Sequence, residues 1–376
     1  MGTTIDNLSE AFILGLGTAV PKYSSRQSEI FDKLNKICNI AQKKQRVFKE
    51  IFKKSSINIR HTVLEESDEN SGVEYLLQSE ESDKGLSVED RNKIYIKEAP
   101  ELSFQSAKNA LGQWGGDASD ITHVISISCT GMYAPGLEAY LQKNLKLSNN
   151  VDRLAINYMG CFGAFKGLSV AKSIAQSNKK ARILVVCTEL CSLHVQATTD
   201  FESFIPNALF ADGSAAIIVG ANPLEYERPL WKVINTCSEI IPETMDFMTW
   251  NISNNGFFMH LDRKVPKVIK KYTRNFIESL LKGFNIKDSE CEWPIHPGGR
   301  SIIEAITEAM NIPYECLDST YSVLDKYGNM SSATFLFVLK EMLQKKQLEV
   351  KPWSIGMGFG PGLSFEGVLL ENYYAK

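Results

Sequence analysis

The chain reads as an α/β protein made of two related halves. Strand-like runs such as "ITHVISISCTG", "RLAINYMG" and "ARILVVCTEL" alternate with helical stretches such as "PELSFQSAKNALGQWG" and "CFGAFKGLSVAKSIAQSN". That order predicts a largely buried sheet covered by helices. After the polar, proline-bearing "EYERPLW" the same vocabulary begins again with "WKVINTCSEII". The halves are therefore placed at residues 1–228 and 229–376.

Taken in order, "AFILGLGTAVP" predicts a strand leading into a loop. Residues 28–54 form one helical stretch rich in lysine and arginine. From Glu65 to Pro100 the acidic "EESDENSG" and "SEESDKG" predict a mobile loop rather than core. The second half offers an amphipathic helix at "VPKVIKKYTRNFIESLLKGF", a strand-to-loop step at "CEWPIHPGG", and a helix at "SATFLFVLKEMLQKK". The glycine-rich "GMGFGPGLSFE" lacks the lysine of a phosphate-binding loop, so it reads as a loop whose backbone lines a cavity. "GLGT" at 15–18 does not complete a dinucleotide fingerprint.

Composition removes several function classes. With 44% hydrophobic residues, 23% charged residues and a net charge of -3, the chain has no global basic field for nucleic acid or a membrane surface. Eight cysteines set in apolar runs do not make a disulfide framework in 376 residues, so reduced thiols and a cytoplasmic location are expected. Cys187 and Cys191 have no second pair at ligand spacing, and no metal site is expected. "MGTTIDNLSEAF" has neither the basic flank nor the long apolar run of a signal peptide or spanning helix.

Three residues draw attention as chemistry. Cys161, in "YMGCFGAFKGL", follows a strand and opens a helix, where unpaired amides and the helix dipole favour a thiolate. A buried structural cysteine is the competing reading. His296, in "WPIHPGG", and Asn329, in "YGNMSSA", lie at loop-to-helix junctions. Each alone could be a structural loop residue or a cap. Together a thiolate, an imidazole and an amide can attack a thioester and hold the resulting oxyanion.

"MGCFGAFKGL", "HPGG", "GNMSSA" and "GFGPG" occur in the order and spacing of the type III polyketide synthases, so from "ILGLGTAVP" to its end the chain resembles that chalcone synthase-like family. The resemblance implies a thiolase fold with duplicated αβαβα halves in five layers, working as a homodimer. It implies Cys161 as acyl-carrying nucleophile, His296 as base and oxyanion donor, and Asn329 as second oxyanion donor. No cofactor is implied, with malonyl-CoA and an acyl-CoA or acyl carrier protein thioester as substrates. Phe210, in "NALFADG", matches one of two gatekeeping phenylalanines, and Met259 stands at the other. Ser331 and the "GFGPG" residues Gly358, Phe359 and Gly360 match the family's pocket. Ala134 replaces a methionine that reaches the partner's cavity, while Cys191 and His194 replace cavity threonines.

The carrier site departs further. Of three basic positions only Lys54 is kept, with Val47 and Glu50 at the others, so Arg46, Lys49 and Lys53 are the candidate substitutes. Alternatively the starter arrives on an acyl carrier protein, as in the type III domains fused to amoebal fatty acid synthase chains (the steely type), which this chain resembles; it would then be an excised domain. A medium-chain fatty acyl starter is expected from Met259 and Ala134. The products expected are a pyrone, resorcinol or acylphloroglucinol. Competing readings are a single-round ketoacyl synthase, a cysteine hydrolase and a non-catalytic acyl-binding protein.

Overall fold

The computed structural model describes residues 9–65, 72–77, 85–344 and 350–374. The first half runs β1 (Ala11–Ala19), β2 (Tyr23–Arg26), α1 (Gln27–Ile37), α2 (Gln42–Lys54), β3 (Ile59–Thr62), α3 (Gly72–Leu77) and α4 (Val88–Trp114). It continues with β4 (His123–Ser128), α5 (Leu137–Asn144), β5 (Asp152–Asn157), α6 (Gly163–Ser177), β6 (Arg182–Leu190), α7 (Phe201–Asn207) and β7 (Asp212–Ala221). The second half opens with β8 (Trp231–Ile240), β9 (Met248–Ser253), β10 (Gly256–Leu261), α8 (Val265–Leu281) and β11 (Cys291–Glu292). It closes with α9 (Arg300–Met310), α10 (Asp318–Tyr327), α11 (Thr334–Met342), β12 (Trp353–Gly360) and β13 (Ser364–Asn372).

Strand order reveals the duplication. The first half runs β5-β4-β6-β7-β1 and the second β11-β12-β13-β8. In the first, β4 lies parallel to β6, and β6, β7 and β1 follow antiparallel. In the second, β11 lies parallel to β12, and β12, β13 and β8 follow antiparallel. The second half repeats the first without its outermost strand. The two runs meet where β1 pairs β8 through Phe12–Lys232 and Ile13–Trp231.

Three apolar clusters hold five layers of structure together. Ala107, Ala110 and Trp114 of α4 pack on Leu184 and Ile218 at the outer face of the first run. Phe276 and Ile303, from α8 and α9, pack on Ile355 and Leu369 at the outer face of the second. Between the runs, Phe165 and Leu168 of α6 meet Phe335 and Leu339 of α11 with Ile217 and Val368. This is the five-layer thiolase architecture, and it buries most of α11 and the inward faces of α6. A further cluster under α1, α2 and α7, with Phe48 stacked on Phe204 at 4.1 Å, roofs one end.

Three expectations are corrected. Residues 28–54 form two helices, because Asn39 turns left-handed (φ 44°) between α1 and α2. The predicted loop ends early: Ser87 accepts the amide of Asp90 and caps α4, whose Tyr95, Ala99 and Leu102 are buried, so helix precedes and continues through Pro100. Residues 66–71 and 78–84 of that stretch lie outside the described residues. "GMGFGPG" is largely strand β12 rather than loop; a Cβ at Gly358 would lie 2.4 Å from the Phe165 ring, and one at Gly360 2.5 Å from Phe162. Those glycines make room for core phenylalanines. Among the described residues no helix is long and apolar enough to cross a membrane.

The bridge between the halves is anchored rather than loose. Glu227, 5% exposed, accepts hydrogen bonds from Trp114 Nε1 (2.7 Å), Arg182 Nε (2.6 Å) and the Leu224 amide (2.7 Å). Removing one partner of a buried ion pair strands the other. Glu227→Ala should therefore lower the unfolding free energy by about 3–5 kcal/mol in urea titration; a change under about 1 kcal/mol would show that water replaces the carboxylate.

Candidate active site

Cys161 owes its place to the turn out of β5. Tyr158 and Gly160 take positive φ (60° and 78°), and a Cβ at Gly160 would lie 2.4 Å from Pro361. Glycine is required there on both counts. One 3-10 turn, Gly160–Phe162, then leads into α6. Gly163 and Gly167 let this helix lie against Ile127 and Val185, where added Cβ atoms would approach within 3 Å. The thiol is thus held at a helix N-terminus, 7% exposed.

Asn329 arrives from the matching place in the second half, just ahead of the turn into α11. Its amide donates to Leu209 O (2.9 Å) and its carbonyl accepts from Ala211 N (2.9 Å), tying it to the segment that carries Phe210. The side-chain Oδ1 accepts the Ser331 amide at 2.9 Å. That orients Nδ2 toward Gly298 O (3.3 Å) and Cys161 Sγ (3.9 Å). His296 is fixed by its amide, which donates to Met357 O at 2.8 Å. It is 1% exposed, and neither ring nitrogen has a hydrogen-bond partner among the described residues.

Burial sets the protonation of this group. It pushes the Cys161 thiol up to about 11, against the pull of the Ser331 and Asn329 side chains, and pushes His296 down to about 3. The resting pair is therefore neutral, a correction to the standing thiolate expected above: no hydrogen bond joins Cys161 to His296 among the described residues, and enclosure penalises each separate charge. A neutral imidazole offers one N–H and one lone pair, which suits both proton acceptance and oxyanion donation.

Two spaces meet at the thiol. The inner cavity is walled by Thr130, Cys191, Trp250, Phe257, Ser331 and Pro361. The outer mouth is walled by Val47, Glu50, Lys54, Phe359, Arg263 and Arg300, with His296 and Asn329 at its base. Cys161, Phe210 and Met259 border both, which places the two gate candidates at the neck. Gly358 and Gly360 border neither. His194 lines the inner cavity without offering it a polar handle. Its Nε2 donates to Thr130 O (2.7 Å), Nδ1 accepts the Phe257 amide (3.0 Å), and the ring stacks on Phe257 at 4.3 Å. Ala134 is exposed in the turn between β4 and α5, away from both spaces. Of the carrier candidates only Lys54 reaches the mouth; Arg46, Lys49 and Lys53 are exposed on α2 outside it. Arg263 and Arg300, not singled out from sequence, supply the other cations there.

Glu189 was also not singled out. It is fully buried on β6, accepts from Cys129 N and Thr130 Oγ1 (both 2.9 Å), and accepts a short hydrogen bond from Ser332 Oγ. A carboxylate inside "ARILVVCTELC" was its signal in the sequence. Burial raises its carboxyl from 4.5 to about 7. Folding then takes up a proton between those values, so this contribution strengthens as pH falls through 7 and is lost as pH rises through it. Glu189→Gln should remove it: relative to wild type, the variant should be more stable at pH 8 than at pH 5 by on the order of 3 kcal/mol in paired urea titrations. An equal difference at both pH values would overturn the assignment.

Comparison with known proteins agrees with this geometry. The chalcone and stilbene synthase N-terminal domain matches residues 3–223, and the C-terminal domain of the same family matches residues 232–373. Probable polyketide synthase 1 of Dictyostelium discoideum is 35% identical over 371 residues, which span 97% of this chain and 12% of that protein. The crystal structure of the C-terminal type III polyketide synthase domain of Steely1, a type I/III hybrid from Dictyostelium, superposes with a TM-score of 0.90 at 35% identity, covering 97% of this chain and 99% of that one. The chain thus belongs to the chalcone and stilbene synthase family, the type III polyketide synthases.

Proposed function

We propose that the chain extends an acyl thioester by iterative decarboxylative condensation with malonyl-CoA and then cyclises the product. The observation that carries this reading is the approach of Asn329 Nδ2 to Cys161 Sγ at 3.9 Å, where an enclosed cavity meets an open mouth. The Cys161 proton passes to neutral His296 as sulfur attacks the starter carbonyl, and the carrier thiolate leaves with that proton. Malonyl thioester then loses carbon dioxide, and the enolate oxygen accepts from Asn329 Nδ2 and the imidazole N–H. The enolate carbon attacks the acyl-cysteine and releases the Cys161 thiolate for reloading.

The starter in this reading is a medium-chain fatty acyl group, with flexible Met259 at the neck and Phe210 opposite. Lys54, Arg263 and Arg300 meet the phosphates of its pantetheine carrier. Exposed Lys43, Arg46, Lys49 and Lys53 on α2 suit the acidic surface of a carrier protein. The chain acts as a homodimer: β5 pairs only β4 among the described residues, and Leu154, Met132 and Met159 are exposed near that edge.

Wild type and Cys161→Ala should be given malonyl-CoA and a ladder of acyl-CoA starters, with products resolved by mass spectrometry. Cyclised polyketides from wild type alone are expected, and Met259→Phe should narrow the accepted chain lengths. One linear product and no ring would indicate a single-round ketoacyl synthase, while products only from carrier-protein starters would assign the donor. Light scattering should give about twice the 42.1 kDa chain mass; a monomer mass would remove the dimer from the proposal.

A further inference from the structure

The inner cavity reaches beyond the neck. Besides Cys161 and Ser331 it is bordered by Ile30 and Leu34 of α1 and by Val73 of α3. Leu34 belongs to the roof cluster, and Ile30 and Val73 pack against it; the middle layer that carries α6 is a separate cluster. Ile30 and Leu34 stand four residues apart and so share one face of α1. Leu34 is fully buried, while Ile30 and Val73 are partly buried. One space therefore joins the thiol to an aliphatic patch on two helices that the reaction described above does not use.

Several polar side chains along the way are spent on the protein. Thr62 Oγ1 donates to Ser192 Oγ (2.9 Å), Ser192 Oγ donates to Asp212 (2.6 Å), and both ring nitrogens of His194 have backbone partners. Trp250 Nε1 donates to Cys129 O (2.8 Å), and its ring meets those of His194 and Phe257 edge-on, which makes it a fixed wall. What these residues offer the cavity is carbon. A methylene that leaves water for such a wall gains about fourfold in affinity, whereas a polar group there forfeits its hydrogen bonds with water.

We propose that Ile30, Leu34 and Val73 form the seat for the ω-end of the acyl chain carried on Cys161. The proposal rests on the polyketide-forming reading above and names where its aliphatic starter lies. The carbonyl end is tied to the thiol beside Asn329, so the hydrocarbon end is the part that reaches α1 and α3. Each round returns to Cys161 a chain longer by one malonyl unit, which drives the tail further toward these helices. Their side chains then measure starter and extensions together, and a longer starter leaves room for fewer rounds.

The first test labels wild type. Acyl-CoA starters of increasing length, each with a diazirine at the ω-carbon, would be incubated with the protein and irradiated, and the labelled residues mapped by peptide mass spectrometry. Short chains should label residues near Cys161, and longer ones Ile30, Leu34 or Val73. Labels confined to Trp250, Phe257 or the outer mouth at every length, or no label at all, would overturn the proposal. A wild type whose Cys161 takes up no acyl group defeats the parent reading, while non-cleavable CoA thioethers carrying the same diazirine still report on the seat.

The second test reads the ruler. In calorimetric titrations of saturated alkyl-CoA thioethers, affinity should rise about fourfold per methylene until the tail meets α1 and α3, and then level. Ile30→Phe and Val73→Phe should level at least one methylene earlier, a loss of about fourfold at the wild-type optimum. Val73→Ala should level later, and it keeps the test open if a phenylalanine variant fails to fold. A break at the wild-type length in every variant, or a loss equal at all lengths, would overturn the proposal; the second outcome would mean that these residues only support the roof.

Discussion

The site depends on the convergence of two buried helix N-termini. α6 and α11 occupy the middle layer, and each is preceded by a 3-10 turn that ends an irregular loop. A helix begins with amides that have no partner within it, and burial denies them water. Fold duplication brings both such ends to one place. Cys161 lies within the turn ahead of α6, and Asn329 two residues before the turn ahead of α11. Phe165 of α6 and Phe335 of α11 fill the space between the two helices, their ring centroids 4.2 Å apart.

Enclosure then governs the chemistry. The burial that holds Cys161 and Asn329 in register also opposes ionisation of the thiol, the imidazole and Glu189. A neutral resting site avoids a permanent charge in the core. On the reading proposed above, the Cys161 thiol would then lose its proton to His296 within the enclosed group. Glu189 is stabilised by three donors and fixes the Thr130 turn and Ser332 against each other. Its place is structural scaffolding, a buried polar knot joining Cys129 and Thr130 of the first half to Ser332 of the second.

Much of this was legible because strand-to-helix junctions leave local marks. Cys161 and Asn329 each sit beside a glycine and His296 stands between Ile295 and Pro297, all at loop-to-helix junctions that marked them as candidates; the shared family motifs assigned their expected roles. The alternation of strands and helices exposed the α/β class for the same reason. What stayed hidden depends on contacts between distant segments. Arg263, between β10 and α8, and Arg300, at the start of α9, join Lys54 of α2 at the mouth, and no periodicity links them. His194 looked like a cavity polar group until two backbone partners consumed its nitrogens. The start of α4 was obscured by acidic residues whose effect on composition outweighed a single capping serine.

The neck shows how one backbone link can serve gate and catalyst together. Phe210 lies between two residues that hydrogen-bond with the Asn329 strand: Leu209 O accepts its amide and Ala211 N donates to its carbonyl. Phe210 O in turn receives Arg60 Nη1. A displacement of Phe210 would therefore pull on Asn329 and on the buried guanidinium at once. Rigidity is the consequence at Phe210, and on the proposed reading chain-length tolerance falls to the other residue at the neck. Met259 sits there on a two-stranded hairpin outside the main sheet, partly exposed and unbranched. A thioether on a hairpin can adjust to a passing acyl chain without moving Asn329. The contrast between a fixed phenylalanine and a pliant methionine follows from which of them is bonded to the Asn329 backbone.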